Sequence, residues 1–296
     1  LQTVFRFIDH ADQLRFSPRN DSEIVLATPI PGVAPETNLS MRAARLLQQS
    51  TGCRQGASIH LQKNLPMGGG LGGGSSDAAT VLLALNHLWQ TGLSRSALQK
   101  LGLTLGADVP VFIHGQNTFA EGIGEAFSDV VLPDETYLVL HPAVNVPTAT
   151  IFGASDLKRD STSMVPGEWR HGQGHNDLEP IACTRFPAVA EHLHWLRQHA
   201  ANALMTGSGA CVFASFNQRT AAEAVLKQLP TSMNGWLADG LKNILWLIYK
   251  KNWIFNRHPC IIRASFAREP VQTTRWGVAK LVKAPDFDSG IRRFES

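Results

Sequence analysis

Cysteine is scarce in this chain: Cys53, Cys183, Cys211 and Cys260 are the four among 296 residues. None forms a C-x-x-C pair, which argues against a disulfide scaffold or a zinc ribbon, so reduced thiols in a cytoplasmic protein are expected. No apolar run approaches the ~20 residues that cross a bilayer, and no secretory leader is read at the start. An initiator methionine is lacking as well, since the sequence opens at Leu1, and a fragment is expected. Charge is modest, 17% of residues against 44% hydrophobic, the balance of a globular protein with a sizeable core.

The charge is also uneven. Residues 241–296 hold 11 basic and 4 acidic side chains, leaving 16 basic and 20 acidic in the rest. The body is mildly acidic, and the pI of 8.8 belongs to the tail. A basic protein built to hold nucleic acid would carry that charge on its folded body. Neither a nucleic acid nor a membrane is expected as a partner.

Patterning gives two different halves. Residues 4–9 and 23–28 read as strands. Asn38 caps a helix through residue 49, with Leu39, Ala43, Leu46 and Leu47 as its apolar stripe. Ala57, Ile59 and Leu61 alternate with Ser58, His60 and Gln62, the period of a half-buried strand. A run of glycines follows, and then a helix with Ala78, Val81, Leu82, Leu85 and Leu88 on one face, for which Ser75 or Ser76 is the expected cap. A short helix over 94–103 and a loop whose Pro110 suits a first helical turn complete this half. The second half reads strand 137–141, helix 187–199, strands 203–206 and 210–216, helix 220–229 and strand 236–239. That order is the split β-α-β arrangement. The domain boundary is placed near Pro133, giving domains over 1–133 and 134–242 and a tail over 243–296.

The stretch from Pro66 to Asp77 carries the chemistry: Pro66, Met67, Gly68, Gly69, Gly70, Leu71, Gly72, Gly73, Gly74, Ser75, Ser76 and Asp77. Glycines let a backbone approach a ligand and turn its N–H groups inward. Concave runs of N–H groups hold anions, and the N-terminus of the following helix adds free donors and the positive end of its dipole. Ser75 and Ser76 can donate to phosphate oxygens. A flexible linker is the alternative, but a linker has no need of Pro66, an embedded leucine and a well-patterned helix behind it. Gly68, Gly70 and Gly73 also spell G-x-G-x-x-G. A dinucleotide fold would place an acidic residue ~20 positions on, at a strand end, where this chain has His87 and Trp89 within a helix. No Gly-Lys-Ser/Thr follows, so the loop is not a Walker A motif.

The run from Leu65 to Ala79 resembles the ATP loop of the GHMP kinases. Leu105–Phe112, Thr206–Phe213 and Asn176-Asp177-Leu178-Glu179 agree with that family too, and the resemblance spans roughly residues 1–240. It implies an α+β two-domain fold, with an S5-like N-terminal domain and a ferredoxin-like C-terminal domain. It implies ATP with Mg2+ and an alcohol acceptor. The loop is nearest in form to members acting on a cytidine diphosphate-linked methylerythritol in the non-mevalonate route to isoprenoid precursors. Other acceptors in the family, homoserine or mevalonate derivatives, stay open, as does a nucleotide-binding module without turnover.

The resemblance also implies roles for single residues. Asp108 matches the family's catalytic aspartate; by itself it would read as a helix cap. Phe152 matches an aromatic that stacks on cytosine; otherwise it reads as core. Gly207, Ser208 and Gly209 form a tight turn expected to face the substrate; otherwise they are a plain hairpin turn. The family pairs its aspartate with a lysine in an Ala-Lys-x-Asn strand and holds the cytidine with an aromatic-His pair. Neither precedes Leu1, so an N-terminally truncated chain of little activity is expected. No metal ligands are assigned; His171 and His175, four apart but flanked by glycines, are expected on the surface. Residues 277–296 resemble translated transfer-RNA gene sequence, and the tail is expected to be a foreign appendage without structure.

Overall fold

The computed structural model describes residues 2–244 and the backbone of Trp276–Leu281. The first strand, β1 (Thr3–Arg19), is far longer than the six residues its pattern suggests, because its later half, Gln13 to Arg19, pairs with the segment Gly56–Gln62; residues 3–8 are buried throughout. After it come β2 (Ile24–Leu26), α1 (Leu39–Thr51), β3 (Gly56–Gln62), α2 (Gly73–Leu88), α3 (Arg95–Leu105), α4 (Val109–His114), β4 (Thr118–Glu121) and β5 (Ala126–Asp129). The second half holds β6 (Thr136–His141), α5 (Thr148–Phe152), α6 (Glu179–Arg185), α7 (Pro187–His199), β7 (Leu204–Met205), β8 (Val212–Phe216), α8 (Arg219–Leu226) and β9 (Asn234–Leu241).

Local chemistry sets the helix ends. Asn38 Oδ1 accepts the N–H groups of Ser40 and Met41 at 2.9 and 3.3 Å and starts α1, which ends on Gly52 with φ 66°. Ser94 caps α3 through its bond to the Ala97 amide. The expected cap of α2 is corrected: Gly72 holds that position at φ 68°, and Ser75 and Ser76 lie inside the first turn. A glycine can take the left-handed conformation that leads the loop directly into the helix, so no side-chain cap is needed.

The strands run β2-β3-β1-β9-β6-β8-β7 in one sheet. Its β9-β6-β8-β7 portion is antiparallel throughout and arises from the β-α-β-β-α-β order. One apolar core lies among α1, α2, α3, α4 and the first strands; a second lies between α5, α6, α7, α8 and the second sheet portion. A third cluster joins them. Ile8, Leu65 and Leu71 pack with Tyr137, Val139, Cys211 and Phe213.

Two expectations for the tail are revised where residues are described. Asn243 bridges to Gln116, and Ile244 is buried in the first core with its amide donating to the Gly115 carbonyl at 2.9 Å. The body therefore extends two residues into the expected appendage. Further on, β10 (Trp276–Leu281) pairs antiparallel with β1, Val4 opposite Leu281 and Ile8 opposite Gly277. An open sheet edge offers unpaired N–H and C=O groups to any extended segment within reach, whatever its origin. The rest of the tail lies outside the described residues. No described helix is long and apolar enough to cross a membrane.

Candidate active site

The loop between β3 and α2 is a shaped element. Gly68, Gly70 and Gly72 take φ values of 69°, 73° and 68°, alternating with residues of ordinary backbone. Such alternation turns successive N–H groups to one side, the geometry of an anion-binding nest. Leu71, in the middle, is a peg. It is 2% exposed and packs into the cluster between the two cores.

The loop is also fastened to the Gly207-Ser208-Gly209 turn by main-chain bonds. The carbonyls of Gly68 and Gly69 accept from the amides of Ala210 and Cys211 at 3.4 and 3.1 Å. Thr206 Oγ1 donates to the Gly70 carbonyl at 3.1 Å. A Cβ on Gly70 would lie 2.2 Å from the Thr206 carbonyl oxygen, and one on Gly209 would lie 2.9 Å from Gly70 N. Glycine is required at both places by the neighbouring backbone as much as by any ligand.

The Asn176–Glu179 motif holds that turn from behind. Buried Asn176 donates to the carbonyls of Met205 and Gly207 at 2.9 and 2.8 Å, and Glu179 accepts the Met205 amide at 3.0 Å. Gly207 itself has φ 58°. Ser208 Oγ lies 2.8 Å from the Thr148 hydroxyl, which ties the turn to α5.

Asp108 stands just ahead of α4 but makes no capping hydrogen bond with its side chain. Phe112, one turn further along that helix, fits under the cradle: a Cβ on Gly72 would lie 2.9 Å from its ring. Asp108, the loop from Pro66 to Ser75, and Gly207 and Ser208 thus line one cleft of about 390 Å³. Ile30, Val33, Leu39 and Met67 give the same cleft an apolar wall.

Three expected site residues fall outside that lining. Ser76 is 4% exposed and buried in the first turn of α2, where its amide donates to the Gly72 carbonyl; Ser75 is the serine that faces the cleft. Gly209 meets Gly70 rather than the open space. Phe152 is half-buried at the end of α5 and packs against the second core, while Thr148 of the same helix reaches the cleft. His171 and His175 are engaged with Glu135 and Asp177 at 3.0 and 2.5 Å.

The reading of motifs missed Lys63. Its ammonium joins Asp12 Oδ2 and lies 2.9 Å from Asp77 Oδ2, and both carboxylates are almost wholly buried. Asp12 Oδ1 also accepts the amides of Asn64 and Leu65 at 2.7 and 2.9 Å, pinning the start of the glycine loop to β1. A lysine directly ahead of Asn-Leu-Pro and the glycines was the available signal. Its partner Asp12 lies 51 residues away, which no local pattern connects.

Residues 38–116 match the GHMP kinases N terminal domain and residues 167–235 the GHMP kinases C terminal domain. A 4-diphosphocytidyl-2-C-methyl-D-erythritol kinase of Dechloromonas aromatica is 73% identical over 241 residues, 81% of this chain and 88% of that protein. The chain is a GHMP kinase. The kinase of the same name from Nitrosospira multiformis is 54% identical over 243 residues, covering 81% and 83% of the two chains. Among solved structures, a 4-(cytidine 5'-diphospho)-2C-methyl-D-erythritol kinase superposes with a TM-score of 0.61 at 27% identity, over 81% of this chain and 99% of that one. Homoserine kinase from Cytophaga hutchinsonii, at 16% identity and a TM-score of 0.60, shares the fold. In this GHMP kinase the glycine loop, Asp108 and the Gly207-Ser208 turn, distant in sequence, line the cleft described above.

Proposed function

We propose that this GHMP kinase transfers the γ-phosphate of ATP to the 2-hydroxyl of 4-diphosphocytidyl-2-C-methyl-D-erythritol, a step of the non-mevalonate route to isoprenoid precursors. One observation carries the reading: the nest of alternating glycines and the Asp108 carboxylate line the same cleft. Phosphoryl transfer to an alcohol needs charge stabilisation on the phosphates and an acceptor for the hydroxyl proton, with the groups held in line.

The residues divide the work accordingly. The inward N–H groups from Gly68 to Gly74 and the N-terminus of α2 hold the phosphates, with the Ser75 hydroxyl as a further donor. The apolar wall at Ile30, Val33 and Leu39 suits the adenine ring. Asp108 takes the proton of the acceptor hydroxyl as general base. Gly207 and Ser208 offer donors to the acceptor, and Phe152 is assigned the cytosine ring. Magnesium, arriving on the nucleotide, supplies charge neutralisation. Among the described residues no group of three His, Cys, Asp or Glu is placed to hold an ion.

The test is release of ADP from ATP with 4-diphosphocytidyl-2-C-methyl-D-erythritol, homoserine and mevalonate offered in parallel. Turnover with the cytidine compound alone supports the reading. Turnover with either of the others, or nucleotide binding with no turnover on any acceptor even after an Ala-Lys-x-Asn strand is added ahead of Leu1, overturns it.

A further inference from the structure

The Asp12–Lys63–Asp77 cluster has two carboxylates for one ammonium, inside the protein. The side chains of Asp12 and Asp77 are 2% and 5% exposed, that of Lys63 19%. Asp12 is well supported as an anion, with Lys63 on one oxygen and two main-chain amides on the other. Asp77 Oδ2 accepts from the same ammonium at 2.9 Å. The cluster also abuts the cradle. A Cβ added to Gly73, the first residue of α2, would lie 3.2 Å from Asp12 Oδ2 and 3.3 Å from Lys63 Nζ. Lys63, Gly73 and Asp77 line the cleft. An uncompensated negative charge is therefore held where the proposed function seats the polyphosphate.

We infer that nucleotide binding draws one proton onto this cluster, with Asp77 as its carrier, so that Asp77 acts as a positioning residue that leaves Lys63 and Asp12 as a neutral pair beneath the phosphates. Like charges held close in a dry site disfavour joint ionisation. An arriving polyanion adds to that repulsion, and Asp77 is the carboxylate with the weaker support. Burial first, and the Asp12 charge after it, already push the Asp77 carboxyl up to about 7 against the pull of Lys63. The Lys63 ammonium is raised by its two partners despite burial, so it stays charged.

The other charged groups around α2 are arranged differently. Arg42 of α1 and both Arg95 and Lys100 of α3 are exposed, and Arg45 of α1 is half-buried. Asp108, ahead of α4, lines the same cleft, and His114 of α4 is paired with Asp129. On β10, Lys280 stands at the register position opposite Phe5.

The inference rests on the nucleotide occupying the cradle, and its test separates the two ideas. MgADP is titrated calorimetrically into the full chain at pH 8, in two buffers of different ionisation enthalpy. Heat of binding in either buffer reports that the cradle holds a nucleotide. The difference between buffers counts protons. Wild type is expected to take up about half to one proton per MgADP, with Kd rising up to about tenfold per pH unit above pH 7. Asp77→Asn is expected to bind with little uptake and a flat pH profile. Binding without proton uptake in the wild type, or uptake that persists in Asp77→Asn, overturns the inference while leaving the nucleotide site standing. Infrared difference spectra of the wild type provide a check that needs no variant. A protonated-carboxyl band should appear on MgADP binding, and its absence also overturns the inference.

Discussion

The Gly69 carbonyl accepts the Cys211 amide hydrogen at 3.1 Å, so the glycine loop ahead of α2 and the segment that follows the Gly207–Gly209 turn are joined through backbone. Main-chain contacts of this kind demand small residues on both sides. They also make a glycine substitution here a lesion in the floor of the cleft as well as in ligand approach.

Gly70→Val tests that point. The residue sits at φ 73°, and its Cβ would fall 2.2 Å from the Thr206 carbonyl oxygen. Strain and displacement together are expected to cost ~2–3 kcal/mol, a Tm decrease of roughly 5–10 °C, with loss of measurable ATP affinity. Gly74→Ala is the companion. It lies within α2 and would meet the Leu39 side chain at 3.4 Å, an ordinary contact, so Tm and ATP affinity should stay near wild type. Thermal melts and nucleotide titration of the two variants check this, and a wild-type Tm for Gly70→Val would contradict it.

Asp108→Asn should reduce turnover by ~10²–10⁴ while ATP still binds, as expected when a general base is removed and the site keeps its shape. Single-turnover phosphoryl transfer by the chain with an Ala-Lys-x-Asn strand added ahead of Leu1, with parallel nucleotide titration, is the measurement. Undiminished turnover would remove Asp108 from its assigned role.

Asn176→Ala leaves the buried carbonyls of Met205 and Gly207 without their donor. A cost of ~2 kcal/mol or more is expected. Because Gly207 faces the cleft, the Michaelis constant for the acceptor should rise more than that for ATP. Steady-state kinetics with each substrate varied in turn distinguish this from a uniform loss.

Phe152→Ala separates packing from recognition. Its half-buried ring packs on the second core, so some loss of Tm is expected in any case. If the ring also meets cytosine, the acceptor Michaelis constant rises about tenfold or more, in line with ~1–3 kcal/mol for base stacking, and that for ATP does not. Equal Michaelis constants before and after would leave Phe152 as core alone.

Asp77→Asn should also change stability with a definite sign. The folded-state carboxyl is pushed up to about 7, above its unfolded value, so ionised Asp77 costs stability that develops as pH rises toward 7 and persists above it. The variant should therefore gain Tm relative to wild type at pH 8 and gain less at pH 5. Paired melts at the two pH values decide this.

Much of the site was legible because its signals are local. The glycine run, Pro110 at a helix start, the Gly-Ser-Gly turn and Asn38 as a cap each depend on a few adjacent residues. The same holds for α7, where the apolar period and the leading proline match the observed Pro187–His199. What escaped depends on distance. The later half of β1 was hidden because its partner is distant in sequence: Gln13 to Arg19 pair with Gln62 to Gly56 of β3. Glu179–Arg185 is too short a helix to show a period. Ser76 and Ser75 look equivalent in sequence, and only the start of α2 at Gly73 turns one inward and the other to the cleft. The ion cluster at Lys63 needed partners from β1 and α2 at once.

The pairing of β9 with β1 has a consequence for biogenesis. Phe7 and Ile8 lie opposite Leu241 and Gly240, and Asp9 accepts the Asp239 amide across 230 residues. The sheet of the first domain is therefore unfinished while the ribosome is still making the second. An early strand must wait for a late one, and contacts this distant in sequence form slowly. During that interval the nascent chain presents an open strand edge next to residues destined for the core, the condition under which growing chains depend on chaperones or pair with one another.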